Sequence, residues 1–197
     1  MIRAVLFDLD NTLVDRDGAF HDCVLTHFSD PSVQTELIRL DHGGRGNRGE
    51  LFQCWEQHAG APMDQATFGR LISGRLQPDP ALQAALRVLS KATKLGVISN
   101  GSGETQRQKL RAAGLEEIFP PEHVWISGET GNAKPDPAIF LLAVQALGET
   151  PEYCLYVGDH ERDDLYGATN AGLRACLVQT ALNAERLVSL LERERLR

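Results

Sequence analysis

Residues 1–18 read MIRAVLFDLDNTLVDRDG, and a run of four apolar residues, Ala4 to Phe7, leads straight into Asp8 and Asp10. An apolar run this short, with no polar alternation, suits a strand covered on both faces of a parallel sheet. A buried carboxylate is costly unless something pairs with it. Two acids at the end of such a strand therefore place that end at the mouth of a polar crevice. The stretch predicts an α/β fold whose chemistry lies beyond the carboxyl end of its first strand.

Four further segments read as buried strands: Leu95–Asn100, His123–Ser127, Tyr153–Gly158 and Arg174–Val178. Between and after them lie helical patterns. Gly103–Ala113 stops at Gly114, Pro137–Leu147 starts on a proline and stops at Gly148, and Asp163–Ala171 stops at Gly172. An amphipathic stretch, Asn183–Leu196, closes the pattern with Leu187, Leu190 and Leu191 on one face. Strands alternating with helices imply right-handed crossovers and a doubly wound parallel sheet.

One region breaks the alternation. From the first strand to about residue 78 there is no strand pattern, only four helical stripes. Their apolar positions are Phe20, Val24 and Phe28; Val33, Leu37 and Leu40; Leu51, Phe52 and Trp55; and Phe68, Leu71 and Ile72, the last preceded by Asp64 as N-cap. The expectation is a small all-helical cap, residues 16–78, inserted into a Rossmann-like core of residues 1–15 and 79–197. Pro78 and Pro80 mark the return, and helix Pro80–Leu89 follows. Within the insert, DHGGRGNRGE (residues 41–50) reads as a glycine-rich connector. Its alternative reading has Arg45 or Arg48 reaching an anionic part of a substrate.

The balance of the chain excludes several classes. With 42% hydrophobic and 24% charged residues it matches an ordinary globular protein. A formal net charge of -7 gives no electrostatic case for nucleic acid or for an anionic membrane surface. Cys23, Cys54, Cys154 and Cys176 stand far apart, without zinc-like spacing, and read as reduced thiols of a cytoplasmic protein. No apolar run approaches the ~18 residues needed to cross a bilayer. The oligomeric state is not readable.

The strand ends carry a consistent set of residue types. After the first come Asp8 and Asp10; after the second, Ser99-Asn100-Gly101; after the third, GETGNAKPDP with Lys134; after the fourth, Gly158-Asp159 within GDHERDD. Asp8, Asp10, Asp159 and Asp164 (or Asp163) at one rim would repel each other without a cation among them. Oxygen ligands without His or Cys favour a hard ion, Mg²⁺ before Ca²⁺ or Mn²⁺, and Mg²⁺ bound this way completes its shell with water and substrate phosphate. A hydroxyl, backbone N–H groups and a lysine suit phosphate oxygens. Three carboxylates and a phosphoryl group of about -2 sum to roughly -5, which Mg²⁺ and Lys134 reduce to about -2. A protonated Asp10 keeps the site from becoming more negative, which is a reason for it to serve as an acid.

Asp8-Leu9-Asp10-Asn11-Thr12-Leu13, Ser99-Asn100-Gly101, Lys134-Pro135-Asp136-Pro137 and Gly158-Asp159 to Asp163/Asp164, in this order, resemble the haloacid dehalogenase-like superfamily. Within it, the likeness is to phosphatases with a helical cap after the first strand. The resemblance implies that Asp8 is the nucleophile forming an aspartyl-phosphate, and that Asp10 protonates the leaving oxygen and then deprotonates water. It implies Mg²⁺ held by Asp8, the Asp10 carbonyl, Asp159 and the second acid of the fourth motif, with Asp164 preferred and Asp163 assigned to helix capping. Ser99 and the Asn100 N–H would hold phosphoryl oxygens, and Lys134 would offset charge on nucleophile and phosphate.

The expected function is hydrolysis of a small phosphorylated metabolite. A phosphoglucomutase-like transfer to a sugar shares the same intermediate. A 2-haloacid dehalogenase is disfavoured because Asp10 supplies an acid that a halide does not need. A non-catalytic binding protein would not require this full set of residues.

Overall fold

The computed structural model describes residues 2–195. Strand β1 (Ala4–Phe7) leads into helices α1 (Arg16–His27), α2 (Pro31–Asp41), α3 (Arg48–Ala59) and α4 (Gln65–Ser73). Then come α5 (Pro80–Ser90), β2 (Lys94–Ser99), α6 (Gly103–Ala112), β3 (Val124–Ile126), α7 (Ser127–Thr130), α8 (Pro137–Ala146) and β4 (Cys154–Gly158). A π-helical turn, Glu161–Tyr166, runs into α9 (Gly167–Asn170), and β5 (Arg174–Leu177) and α10 (Ala184–Arg195) follow. Leu196, the expected last residue of the closing helix, lies outside the described residues.

The chain divides into two compact units, one of Met1–Asp15 with Gln77–Arg197 and one of Arg16–Leu76. The first holds a five-stranded, all-parallel sheet in the order β3-β2-β1-β4-β5. This is the doubly wound α/β sheet anticipated from the apolar runs. β1 is central, with Leu6 in register with Gly96 on one side and Tyr156 on the other. Alternation along each strand divides the core. Ala4, Leu6, Ile98, Trp125 and Tyr156 pack with Ile139, Phe140 and Val144 of α8 and Ala168 of α9. Phe7 points the other way and meets Phe119 edge-on at 6.1 Å.

Strand and helix ends differ from the sequence reading by a residue or so, for local reasons. His123 and Tyr153 belong to short 3₁₀ turns, Pro121–His123 and Pro151–Tyr153, so β3 and β4 each start one residue later than expected. Gly114, Gly148 and Gly172 all take positive φ, as helix stops do. The stretch read as one helix from Asp163 to Ala171 is instead the π turn followed by a short α-helix. Its capping residue is His160, whose Nδ1 accepts from the Asp163 N–H at 3.1 Å. Asp163 is therefore not the cap assigned to it.

The second unit is all helical. Asp30, Asn47 and Asp64 cap its second, third and fourth helices. Its core is aromatic, with Phe28 against Trp55 at 4.8 Å and Phe68 between Phe20 (5.8 Å) and Phe52 (5.5 Å). The glycine-rich stretch after α2 is not a loose connector. Buried Asp41 receives Arg16 through a bidentate pair, Arg48 Nη1 at 2.7 Å and the Gly44 N–H at 3.0 Å, and Arg48 Nη2 also donates to the Gly44 carbonyl. Arg48 spends its charge inside this unit. Arg45 is exposed and donates to the Gly43 carbonyl at 3.3 Å.

Candidate active site

Asp8 continues the line of β1. Its N–H still donates to the Val157 carbonyl at 2.8 Å, so the strand ladder fixes its backbone. The next residues turn sharply: the Leu9 carbonyl accepts from the N–H groups of Leu13 and Val14, and Asn11 sits at φ 59°, which asparagine tolerates. Leu9, Leu13 and Val14 are buried beneath this turn. The apolar residues around the two acids thus anchor them at the sheet's carboxyl edge.

Lys134 is the hub. Its side chain is only 4% exposed, and its ammonium donates to Asp8 Oδ1 at 2.6 Å, Asp164 Oδ1 at 2.6 Å and the Tyr156 hydroxyl at 3.0 Å. Asn100 holds the lysine's backbone from both sides. Its Oδ1 accepts from the Lys134 N–H and its Nδ2 donates to the Lys134 carbonyl, both at 2.9 Å. The Asn100 side chain therefore braces the lysine loop, leaving only its backbone N–H for the phosphate role implied by resemblance.

Asp164 is buried and accepts from four donors: Lys134 Nζ, the Tyr156 hydroxyl, and the N–H groups of Asp159 and His160 at 3.0 and 2.9 Å. Asp163, one residue earlier, faces His160 at 3.2 Å instead. Of the two acids left open by the sequence, Asp164 is the one at the lysine. Gly158 makes this possible, because a Cβ there would lie 2.3 Å from the Asp164 carboxyl carbon.

The electrostatics follow from burial and partners. Burial pushes the Asp8 carboxyl up to about 8, against the pull of Lys134, and the charges of Asp164 and Asp10 add to the rise. Burial works on Asp164 in the same direction, but Lys134 and the donated hydrogen bonds outweigh it and hold its carboxyl below the usual range. Lys134 and the four donated hydrogen bonds thus favour the ionised form of Asp164. Burial opposes the Lys134 ammonium too, yet the two carboxylates keep it charged well above its ordinary value.

A second polar cluster adjoins the turn. Asp10 receives Lys109 Nζ on both oxygens, at 2.7 and 2.6 Å, and Gln106 Nε2 on Oδ2 at 3.1 Å. The same Gln106 nitrogen reaches Ser99 Oγ at 2.5 Å. The charge count had supposed a protonated Asp10; in this structure an ammonium bears on both its oxygens instead.

A family model for haloacid dehalogenase-like hydrolases matches residues 2–172. The chain belongs to that family. It is 32% identical to the glyceraldehyde 3-phosphate phosphatase of Methanothermobacter thermautotrophicus, over 94% of this chain and 90% of the relative. It is 29% identical to the human N-acylneuraminate-9-phosphatase, over 88% and 81%. In fold it is similar to the putative HAD-hydrolase YfnB of Bacillus subtilis, a structure bound to magnesium, with TM-score 0.74, 21% identity and coverage of 97% and 99%.

For a haloacid dehalogenase-like hydrolase, the test of a metal is its donor set. Asp8, Asp159 and Asp164 each offer a carboxylate oxygen within 4.8 Å of the others. Oxygen-only donors this close, with one ammonium beside them, fit a hard divalent cation. The Asp10 carboxylate lies instead with Lys109, so any part it takes in ligation falls to its backbone carbonyl. Asp8, Lys134, Asp159 and Asp164 come together in one cluster, and Asp10 and Ser99 in the adjoining one.

Three participants escaped the sequence reading: Tyr156, Gln106 and Lys109. Tyr156 looked like one more apolar strand residue. The only signal for the other two was the i, i+3 spacing of a glutamine and a lysine on a polar helix directly after Ser99-Asn100-Gly101.

Proposed function

We propose that this phosphoric monoester hydrolase releases phosphate from a small phosphorylated metabolite, using Mg²⁺ and a transient phosphate ester on Asp8. The observation that carries the reading is the buried Lys134 ammonium shared by Asp8 and Asp164 beyond the carboxyl end of the central strand, with Asp159 close by.

In the proposed reaction a carboxylate oxygen of Asp8 forms a bond to phosphorus while the bond from phosphorus to the ester oxygen breaks. Lys134 holds Asp8 in place and offsets charge on the phosphoryl oxygens, and the Ser99 hydroxyl donates to one of them. Asp10, taking up a proton when substrate binds, gives it to the departing oxygen, then as a carboxylate takes one from the water that attacks phosphorus while the bond from phosphorus to Asp8 breaks. Mg²⁺, held by Asp8, Asp159 and the Asp10 carbonyl, would supply positive charge to the phosphoryl group. Asp164, with four donors already on its two oxygens, fixes Lys134 and the turn after β4, and its carboxylate would complete the acidic surround of the ion.

In this reading the inserted helical unit selects the substrate. Acidic balance and scattered cysteines support a cytoplasmic setting, and among the described residues no helix is long and apolar enough to cross a membrane.

The test is phosphate release across a panel of phosphorylated metabolites, with Mg²⁺ and with EDTA. Release that needs Mg²⁺ and no bisphosphate activator, and that disappears in Asp8→Asn and Asp159→Asn, is the expected result. Parent-level hydrolysis of p-nitrophenyl phosphate by Asp8→Asn would refute the mechanism.

A further inference from the structure

Lys109 and Gln106 stand on α6 three residues apart, so they share one face of that helix. Both are side chains that normally face water, yet they are 6% and 2% exposed. Burying an ammonium and an amide is unfavourable unless their hydrogen-bonding capacity is used. Here it is spent on two residues of the proposed reaction that are 89 positions apart in sequence, Asp10 and Ser99.

The orientation of the amide is dictated by its neighbours. Its oxygen could not face the Asp10 carboxylate, so the nitrogen does, and the two hydrogens of that nitrogen divide between Asp10 Oδ2 and Ser99 Oγ. Ser99 Oγ therefore accepts from Gln106, and its own proton is left to be donated elsewhere. The helix carrying the pair is itself set by Ser102, which caps it by accepting from the Thr105 N–H at 3.3 Å. The loop before it is tied down where the Gly101 N–H donates to Ser127 Oγ at 2.9 Å.

We propose that Lys109 and Gln106 are positioning residues. Lys109 aims the Asp10 carboxyl for proton transfer, and Gln106 registers it against Ser99 while turning the Ser99 hydroxyl into a donor for a phosphoryl oxygen. This inference rests on the phosphatase reading above, and it assigns separate tasks to the two residues. Positioning of the proton donor matters most when the departing oxygen is a poor leaving group. Positioning of the serine hydroxyl matters for any phosphoryl group that binds.

The experiment compares the parent with Lys109→Met, Lys109→Arg and Gln106→Met on phosphate esters of graded leaving-group pKa, from p-nitrophenyl phosphate through phenyl phosphate to an alkyl phosphate. Inorganic phosphate serves as a competitive inhibitor. Lys109→Met is expected to lose about threefold in kcat on p-nitrophenyl phosphate and about a hundredfold on the alkyl ester, steepening the dependence on leaving-group pKa. Lys109→Arg recovers most of that slope. Gln106→Met is expected to weaken phosphate inhibition about tenfold as well. In an Asp10→Asn background, Lys109→Met should cost nothing further.

An equal loss of kcat across the whole ester series, or an additive loss in the Asp10→Asn background, would overturn the assignment of Lys109. Unchanged phosphate inhibition in Gln106→Met would overturn that of Gln106. If Lys109→Met does not fold, Lys109→Gln takes its place on the same ester series, with the same steepening expected and an equal loss across the series overturning the assignment. These failures leave the Asp8→Asn result intact, so the positioning claim and the phosphatase reading stand or fall separately.

Discussion

Removing the hydroxyl of Tyr156 deletes one oxygen at the centre of the lysine cluster and leaves the ring in place. The ring is fully buried and meets Phe140 edge-on at 5.0 Å, so Tyr156→Phe makes no large cavity. The oxygen accepts from Lys134 Nζ at 3.0 Å and lies 3.0 Å from Asp164 Oδ1 and 3.2 Å from the Ile98 carbonyl. Its single proton goes to the nearer, charged acceptor. The variant thus loses the hydrogen bond donated to a buried carboxylate, in the range of about 1.5–3 kcal/mol, together with the one accepted from Lys134. Lys134 keeps both carboxylate partners, which limits the damage, and we expect a loss of about 2 kcal/mol.

Native-state hydrogen exchange of the amides in β1 and β4 is the suitable assay, because it reports on the sheet unit alone in a chain with two compact units. Protection factors there should fall about thirtyfold, while amides of α1–α4 change little. Phosphatase turnover should fall less than tenfold, since both carboxylates still hold Lys134. A change below about 0.5 kcal/mol in the β1 and β4 amides would show that the hydroxyl carries no such hydrogen bond and that the cluster is assembled differently.

Gly158→Ala places a methyl group against the Asp164 carboxylate; we expect Mg²⁺ affinity, followed by titration of activity, to drop about 10–100-fold, and an unchanged titration curve would remove Asp164 from its supporting role. In the helical unit, Asp41→Ala leaves Arg16 buried without its partner and should cost about 3–5 kcal/mol in urea unfolding of residues 16–76. The same pair predicts a pH dependence. Burial alone would raise the Asp41 carboxyl, but Arg16 and Arg48 hold it below its ordinary value. Its folded value lies under its unfolded value, so the stabilisation is full above about pH 4 and is lost as the pH falls through the folded value. A helical unit equally stable at pH 2 and pH 5 would contradict this.

The strands were legible because each is a buried apolar run that stops at a change to polar residues, and in a parallel sheet that change coincides with the functional edge. Asp8, Ser99 and Asp159 were readable for the same reason, each standing at or just after a strand end, whereas Lys134 lies in the loop beyond β3 and α7 and was read from its motif. The choice between Asp163 and Asp164 was not readable from periodicity. A π-helical turn shifts the side-chain directions of an α pattern, so adjacent acids exchange places. Gln106 and Lys109 were hidden more deeply. Their stretch, GETQRQKLRA, has the composition of a solvated helix, and only contact with another strand's loop reveals that two of its polar groups are buried. The stretch read as a glycine-rich connector does join α2 to α3, but the sequence did not show that buried Asp41 ties it down through Arg16, Arg48 and the Gly44 N–H.

The central place of β1 also bears on how the chain acquires its structure during synthesis. The strand bearing Asp8 is made before either neighbour: one partner begins at Lys94 and the other at Cys154. The whole helical insert emerges in between and folds through contacts close in sequence, while AVLF waits without a pairing edge. The first-made strand of the sheet is therefore held on both edges only after Cys154–Gly158 is made. Until Lys94–Ser99 is made, about halfway along the chain, this apolar segment has no strand to pair with and stands to gain from shielding.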